Sequence, residues 1–177
     1  MDEKVDVVFN TVIPPGLSPF IKQLYEAGFS ARGGRLSCVY YDENALNFNT
    51  AAEMEVLASC LDYFQNIEDP FSAELQATYQ KKHAHKDKVL FTAGSASTGM
   101  YRGIKLWESA VKEAGNVDRE SVSAAMDHAK IANGPGGPAS ILPGTYHTQM
   151  NMYIAVAKDG KYEILDKAEQ VHPKECG

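Results

Sequence analysis

The 177-residue chain is short of cysteine, tryptophan, basic charge and long apolar runs, and each shortage excludes something. Its three cysteines, Cys38, Cys60 and Cys176, form no CxxC pair and no zinc spacing. Cys38 and Cys60 lie in apolar, strand-like runs and are expected to be free, buried thiols. A net charge of −6 gives a nucleic-acid or anionic-membrane partner no electrostatic help. No stretch approaches the roughly 20 apolar residues that span a bilayer, so no membrane insertion is expected. The opening "MDEKVD" is acidic and has no apolar signal-peptide core. Neither G-x-S-x-G nor HExxH occurs, and His147 has no Ser or Cys partner, so the residues encode no enzyme. His83 and His85 flank an alanine but have no acidic or thiol partner at a useful spacing, so neither a metal nor a cofactor is expected.

What is present is an α/β pattern. "VDVVFNTVIPPG" at 5–16 has the continuous apolar character of a strand buried on both faces, in the middle of a parallel sheet. A helix follows, with Ser18 as N-cap, Pro19 in its first turn, Gly28 as its stop, and Leu17, Phe20, Ile21 and Leu24 on one face. Residues 36–41 form the next strand, so strand, helix and strand make a βαβ unit with parallel strands. A third strand-like run ends the segment 51–67. Asp69 and Pro70 then open a helix with Phe71, Leu75, Thr78 and Tyr79 inward. A longer helix runs from about Ser97 to Glu113, with Met100, Ile104, Trp107, Val111 and Ala114 as its inner stripe and Gly115 as its stop. Asp118 caps a third helix, which ends near Ala129. Among these helices only "KVLFTAG" at 88–94 is a strand candidate, so their apolar faces have little sheet to cover. "NGPGGP" at 133–138 is a rigid crossing or turn, and alternation on both sides of Asp159-Gly160 marks a hairpin.

Two strand ends carry chemistry. "VYYDEN" lies at the carboxyl end of a βαβ strand, where open α/β sheets place ligands. Tyr40 and Tyr41 offer rings and hydroxyls there, and Asp42 and Glu43 offer carboxylates for an amide or ammonium group. Asn10 and Thr11 end the first strand at the same sheet edge. A plainer reading satisfies the same residues: Asp42 or Asn44 caps the next turn, the tyrosines pack, and Asn10 and Thr11 serve a backbone turn. "TAGSASTGMYRG" at 92–103 leads small residues into a helix start but matches no nucleotide motif.

Taken in order, "VDVVFNTVIPPGLSPFIKQLYEAG", "LSCVYYDEN", "CLDYFQNIEDPFSAEL", "FTAGSASTGMYRGIKLWESAVKEAG" and "GPGGPASILPGTYHTQMNMYIAVAKDGKYEIL" resemble the carboxyl-terminal half of a type I periplasmic binding protein. Within that family the blocks are similar to the amide- and urea-binding branch, relatives of branched-chain amino-acid receptors. The resemblance implies a partial fold. Residues 1–56 would be a βαβ part of the second lobe and 57–67 a crossing strand. Residues 68–132 would be first-lobe helices whose own strands are missing, 133–138 the return crossing, and 139–177 the second-lobe hairpin and tail. It also implies a ligand held between lobes by Asn10, Thr11, Tyr40, Tyr41, Asp42 and Glu43.

The expected function is that of a non-enzymatic, truncated solute-binding protein of an ABC uptake system. It would bind a small polar amide, urea or amino acid and engage an ABC permease, and family resemblance would place it in the periplasm. The start without a signal also fits a cytoplasmic amide sensor of the same fold. Uncovered helix faces further fit a half-protein that assembles as a homodimer without ligand function.

Overall fold

The computed structural model describes residues 4–13, 15–83 and 92–173. One mixed sheet organises them. Strand β1 (Val7–Asn10) is followed by helix α1 (Leu17–Glu26), β2 (Arg35–Cys38), a short α2 (Ala51–Met54) and β3 (Leu57–Leu61). Helices α3 (Pro70–His83), α4 (Ser95–Ala114) and α5 (Arg119–Ala125) come next. Strands β4 (Lys130–Ile131), β5 (Ala139–Ile141), β6 (Thr148–Lys158) and β7 (Lys161–Val171) complete the chain. The order across the sheet is β1-β2-β3-β6-β5-β4, with β7 also paired to β6. β1, β2 and β3 are parallel, as the βαβ pattern requires. β6 pairs with β5 through Thr148–Met150 and with β3 through Tyr153–Val156, so one long strand ties the two ends of the sheet together.

Local signals account for most boundaries. α1 buries Leu17, Ile21 and Leu24 at helical spacing and ends before Gly28, whose φ of 68° lies in the left-handed region. Asp118 Oδ2 accepts the backbone N–H groups of Glu120 and Ser121 and caps α5, and Gly115 stops α4. Asp159 and Gly160 both have positive φ, the pair a tight hairpin needs between β6 and β7.

Five expectations are corrected. β1 is an edge strand, with Val7 59% and Phe9 68% exposed, because among the described residues only β2 pairs with it and no element covers its outer face. Ser18 does not cap α1; the helix starts at Leu17, two residues earlier than expected, behind Gly16, and the Ser18 hydroxyl donates to the Phe48 carbonyl. Cys60 is exposed while Cys38 is buried, since adjacent strands turn these two side chains to opposite sheet faces. On α3, Thr78 faces solvent and Ser72 and Gln76 replace it inward, held by Asp69 and the Tyr63 hydroxyl. On α4 the first part of the expected stripe is turned outward, with Met100 68%, Ile104 56% and Trp107 50% exposed, while Val111 and Ala114 pack against the smaller core cluster as expected. The buried face is Thr98, Arg102, Leu106 and Ala110, because polar anchoring of Arg102 sets the rotation of the helix. Most of the strand candidate at 88–94, together with His85 and Cys176, lies outside the described residues.

Apolar burial falls into two clusters. The larger sits between one sheet face and α1 and α2, with Leu17, Ile21, Leu36, Met54, Leu57, Tyr63, Phe64 and Ala155 at its centre. The smaller joins Leu106 and Ala110 of α4 to Val122 and Ala125 of α5 and to Ile141 of β5. Between them lies a polar node. The Arg102 guanidinium pairs with the Asp62 carboxylate and donates to the Pro135 carbonyl at 2.7 Å. "NGPGGP" forms the turn that presents this carbonyl, and a Cβ on Gly136 would stand 2.4 Å from the Asp62 carbonyl oxygen. Arg102 is 5% exposed. Removing it strands a buried carboxylate, so Arg102→Ala is expected to lower the unfolding free energy by about 3–5 kcal/mol. Urea unfolding measures this, and a loss below about 1 kcal/mol would mean the node is not a support.

Candidate functional site

The carboxyl ends of β1 and β2 open into two loops. The first is a turn built on Asn10, whose Oδ1 accepts the Val12 N–H at 3.3 Å and whose Nδ2 donates to the Val12 carbonyl and the Cys38 sulfur. Asn10 is buried by this arrangement and Thr11 is exposed. The second loop follows Cys38. Tyr40 is 61% exposed, whereas the Tyr41 ring enters the larger core. Residues Glu43–Asn47 then form a single 3-10 turn, started by Asp42 Oδ1 accepting the Asn44 N–H at 2.9 Å.

The next three side chains, Asp42, Glu43 and Asn44, each reach a backbone N–H in a distant part of the chain. Asp42 Oδ2 accepts from Ser95 N at 2.9 Å, Glu43 Oε1 from Gln65 N at 2.9 Å, and Asn44 Oδ1 from Thr92 N at 2.8 Å. The Asn44 amide also donates to the Thr92 carbonyl. Asp42 thereby caps α4 from another element, supplying an acceptor and a negative charge to a helix start that Gly94 cannot cap with a side chain. Ser95 carries the chain of contacts onward, its hydroxyl donating to Asp62 Oδ1 at 2.6 Å. The strand-end loop, the segment after β3 and the first turn of α4 are therefore fastened at one point.

Electrostatics follow from burial. Desolvation pushes the Glu43 carboxyl up to about 7, with the Asp42 charge adding to it and backbone N–H bonds, Gln65 among them, opposing it. Glu43 Oε2 is buried without a hydrogen-bond partner among the described residues, which is the price of that position. Burial also raises Asp42, against hydrogen bonds from Asn44 and Ser95, and raises the Cys38 thiol to about 11. Among the described residues no group of three His, Cys, Asp or Glu side chains is placed to hold a metal ion.

Two cavities bear on ligand binding. One of about 340 Å³ lies between the two strand-end loops, walled by Pro15, Pro19, Tyr41 and Phe48 with Ser18 beside them. A larger one, about 630 Å³, is lined by Asn66–Asp69, Gly137, Pro138 and the β6–β7 hairpin, and none of the six candidate residues borders it. The candidates are thus brought to one sheet end but divided in use. Thr11 and Tyr40 are open to solvent, Tyr41 walls the smaller cavity, and Asn10, Asp42 and Glu43 are occupied by backbone groups. Pro15 and Phe48 were not singled out from the sequence, where only their place in loops marks them, and Pro19 was read there only as a residue of the first helical turn.

With this geometry, relationship becomes informative. The chain matches the periplasmic binding protein domain family over residues 1–175 and belongs to that family. A solute-binding protein of an ABC transporter from Rhodopseudomonas palustris BisB5, in complex with 3,4-dihydroxybenzoic acid, is 27% identical with a TM-score of 0.77. The match covers 94% of this chain and 46% of that one. An amino-acid ABC transporter substrate-binding protein from Pseudomonas fluorescens Pf-5 is 18% identical (TM-score 0.76, covering 94% of this chain and 45% of that one). The leucine-binding protein LivK of Thermotoga maritima MSB8 is 16% identical (TM-score 0.72, covering 93% and 45%). The chain therefore spans just under half the length of these relatives and has the corresponding part of their fold. No curated protein sequence matches it significantly. No helix among the described residues is long and apolar enough to cross a membrane.

Two outcomes test the fastening. A carboxyl whose folded pKa is raised contributes stability that is full below its unfolded value, about 4.5, and lost as pH rises through about 7. Stability is expected to fall by roughly 3 kcal/mol over that window, and Glu43→Gln to flatten the fall. Urea unfolding across the window checks this; a Glu43→Gln profile as steep as the parent's would sink it. A Cβ on Gly94 would stand 2.0 Å from Asp42 Oδ2. Gly94→Ala should therefore destabilise by about 1–3 kcal/mol in thermal unfolding, because Asp42 is fixed from two sides.

Proposed function

We propose that this chain forms one wall of a solute-binding site in an ABC uptake system, and that the solute is a small organic acid, either an amino acid or an aromatic carboxylate. The observation that carries the reading is the cavity walled by Pro15, Pro19, Tyr41 and Phe48 at the carboxyl ends of parallel strands β1 and β2. Strand ends of this kind are where open α/β sheets receive ligands. Two proline rings and two aromatic rings favour a flat or branched apolar group. Thr11 and Tyr40, free at the same sheet end, supply hydroxyls for its polar part. The relatives named with ligands bind 3,4-dihydroxybenzoic acid or leucine, which fits such a lining better than urea or acetamide. The rest of the reading follows from the family. The protein acts by binding rather than by catalysis, hands its solute to a permease, and works in the periplasm.

Thermal unfolding with benzoate, 3,4-dihydroxybenzoate, leucine, acetamide and urea tests it. A carboxylate or leucine is expected to raise the midpoint, with about 2.7 kcal/mol of stabilisation at a hundredfold excess over Kd. The shift should vanish in Phe48→Ala, whose side chain is exposed enough to be removed without harm to the core. A shift with urea or acetamide alone would reverse the ligand assignment, and a flat panel would contradict binding by this wall.

A further inference from the structure

The cavity of about 630 Å³ beside the β6–β7 hairpin shares no residue with the strand-end cavity, and its walls are fixed in shape. They come from residues 66–69 after β3, from Gly137 and Pro138 of the 133–138 turn, and from β6 and β7. Asn151 of β6 is 5% exposed. Its Nδ2 donates to the Gly136 carbonyl at 3.0 Å, and its Oδ1 accepts from Gln170 N at 3.0 Å. The Tyr153 hydroxyl donates to the same Gly136 carbonyl at 3.0 Å. A Cβ on Gly137 would stand 2.5 Å from Asn151 Nδ2. Gln170 has a φ of 46°, in the left-handed region, and its Nε2 donates to the Pro138 carbonyl and to Asn151 Oδ1. A side chain held in that region by its surroundings is a feature of ligand clamps.

The chemistry of the lining is one-sided. Its side-chain donors already have acceptors. Asn66 Nδ2 donates to the Tyr162 carbonyl at 2.8 Å, and the Tyr162 hydroxyl shares a hydrogen bond with Ser59 at 3.2 Å. Lys167 Nζ lies 2.8 Å from Glu169 Oε1, which answers its charge. Acceptors are left over. Glu68 is exposed and has no ion pair among the described residues. Glu163 has Lys158 at 3.4 Å, and Asp69 accepts from the Ser72 backbone and hydroxyl. Three carboxylates therefore stand against one ammonium in the lining. Ile67, Pro138 and Ile164 add apolar surface, and Tyr153 and Tyr162 add rings.

We infer that this cavity is a second binding site, for an organic cation: an ammonium group on an aryl or alkyl body. The ammonium brings the donors that the lining lacks, and the carboxylates, Glu68 first, supply its countercharge. Aromatic rings attract such a group through their quadrupole, and the apolar residues receive its body. The volume lies within the range of small-ligand sites, roughly 300–1,000 Å³. A carboxylate solute of the kind proposed for the strand-end cavity is repelled here, so the two cavities select opposite charges. The inference uses none of the strand-end residues and does not depend on the solute they meet.

Two-dimensional amide NMR of the full chain tests this, with 2-phenylethylamine as the probe and 3-phenylpropionate as an anion of matching body. The amine is expected to bind with a Kd below about 1 mM. It should move the amide resonances of Ile67, Gly137 and Ile164 and leave those of Tyr41 and Phe48 in place. Glu68→Gln, at an exposed position, should weaken binding about threefold with the unfolding midpoint unchanged. Ile164→Lys sets a cation in the lining and should abolish binding. Unmoved resonances at Ile67, Gly137 and Ile164 with about 10 mM amine overturn the inference. So does equal movement with 3-phenylpropionate, or a Glu68→Gln chain that binds the amine as tightly as the parent. Movement confined to Tyr41 and Phe48 puts the amine in the strand-end cavity and overturns it as well.

Discussion

The arrangement depends on three side chains in a row. Asp42, Glu43 and Asn44 accept backbone N–H groups from Ser95, Gln65 and Thr92, respectively. Backbone donors at a helix start or in the segment after β3 must find acceptors once they are buried. Supplying all three from one turn fixes the spacing of the β2 loop, the segment after β3 and the start of α4. Asp62 and Arg102 extend the same network to the 133–138 turn, so the two apolar clusters are held in register by polar contacts rather than by a shared core.

On the proposed function this has a consequence. In a protein that closes on a solute, groups at the joint must be stiff enough to define the closed form. They must also be few enough that the parts can move. Here the joint is a short list of hydrogen bonds, one of them to a carboxyl that burial pushes up to about 7. On the proposed reading, the residues left to meet a solute are those the joint does not consume: Thr11, Tyr40 and the rings around the strand-end cavity. The acidic pair that looks most like a ligand contact in the sequence is, in this arrangement, part of the fastening.

Much of the fold was legible. Helix and turn signals with local causes, such as Asp118, Gly115, Gly28 and Asp159-Gly160, appear where the sequence puts them, and the βαβ opening is parallel as expected. What failed were inferences about which face is covered. Val7, Phe9, Met100, Ile104 and Trp107 are apolar at the right spacing, but periodicity records the existence of an apolar face and not the presence of the element that buries it. The rotation of α4 was also hidden, because a buried arginine whose partners lie 40 residues upstream and 33 downstream leaves no periodic trace. At the site, the plainer reading of "VYYDEN" describes Asp42 and Tyr41, which cap a turn and pack in the core, and the ligand reading stays with the proposal. Asp42 starts the next turn as the plainer one holds, while Tyr40 stays free at the sheet end.

Amide hydrogen exchange at Gln65, Thr92 and Ser95 tests the account most directly, since these three N–H groups are the donors in the fastening. They should exchange only through global unfolding, as slowly as the core amides of β2 and β3, and in Asp42→Ala the Ser95 amide should lose protection first. Exchange of all three at loop rates, with β2 and β3 still protected, would contradict it: the strand-end loop would then be undocked, and Asp42 and Glu43 free to meet a solute.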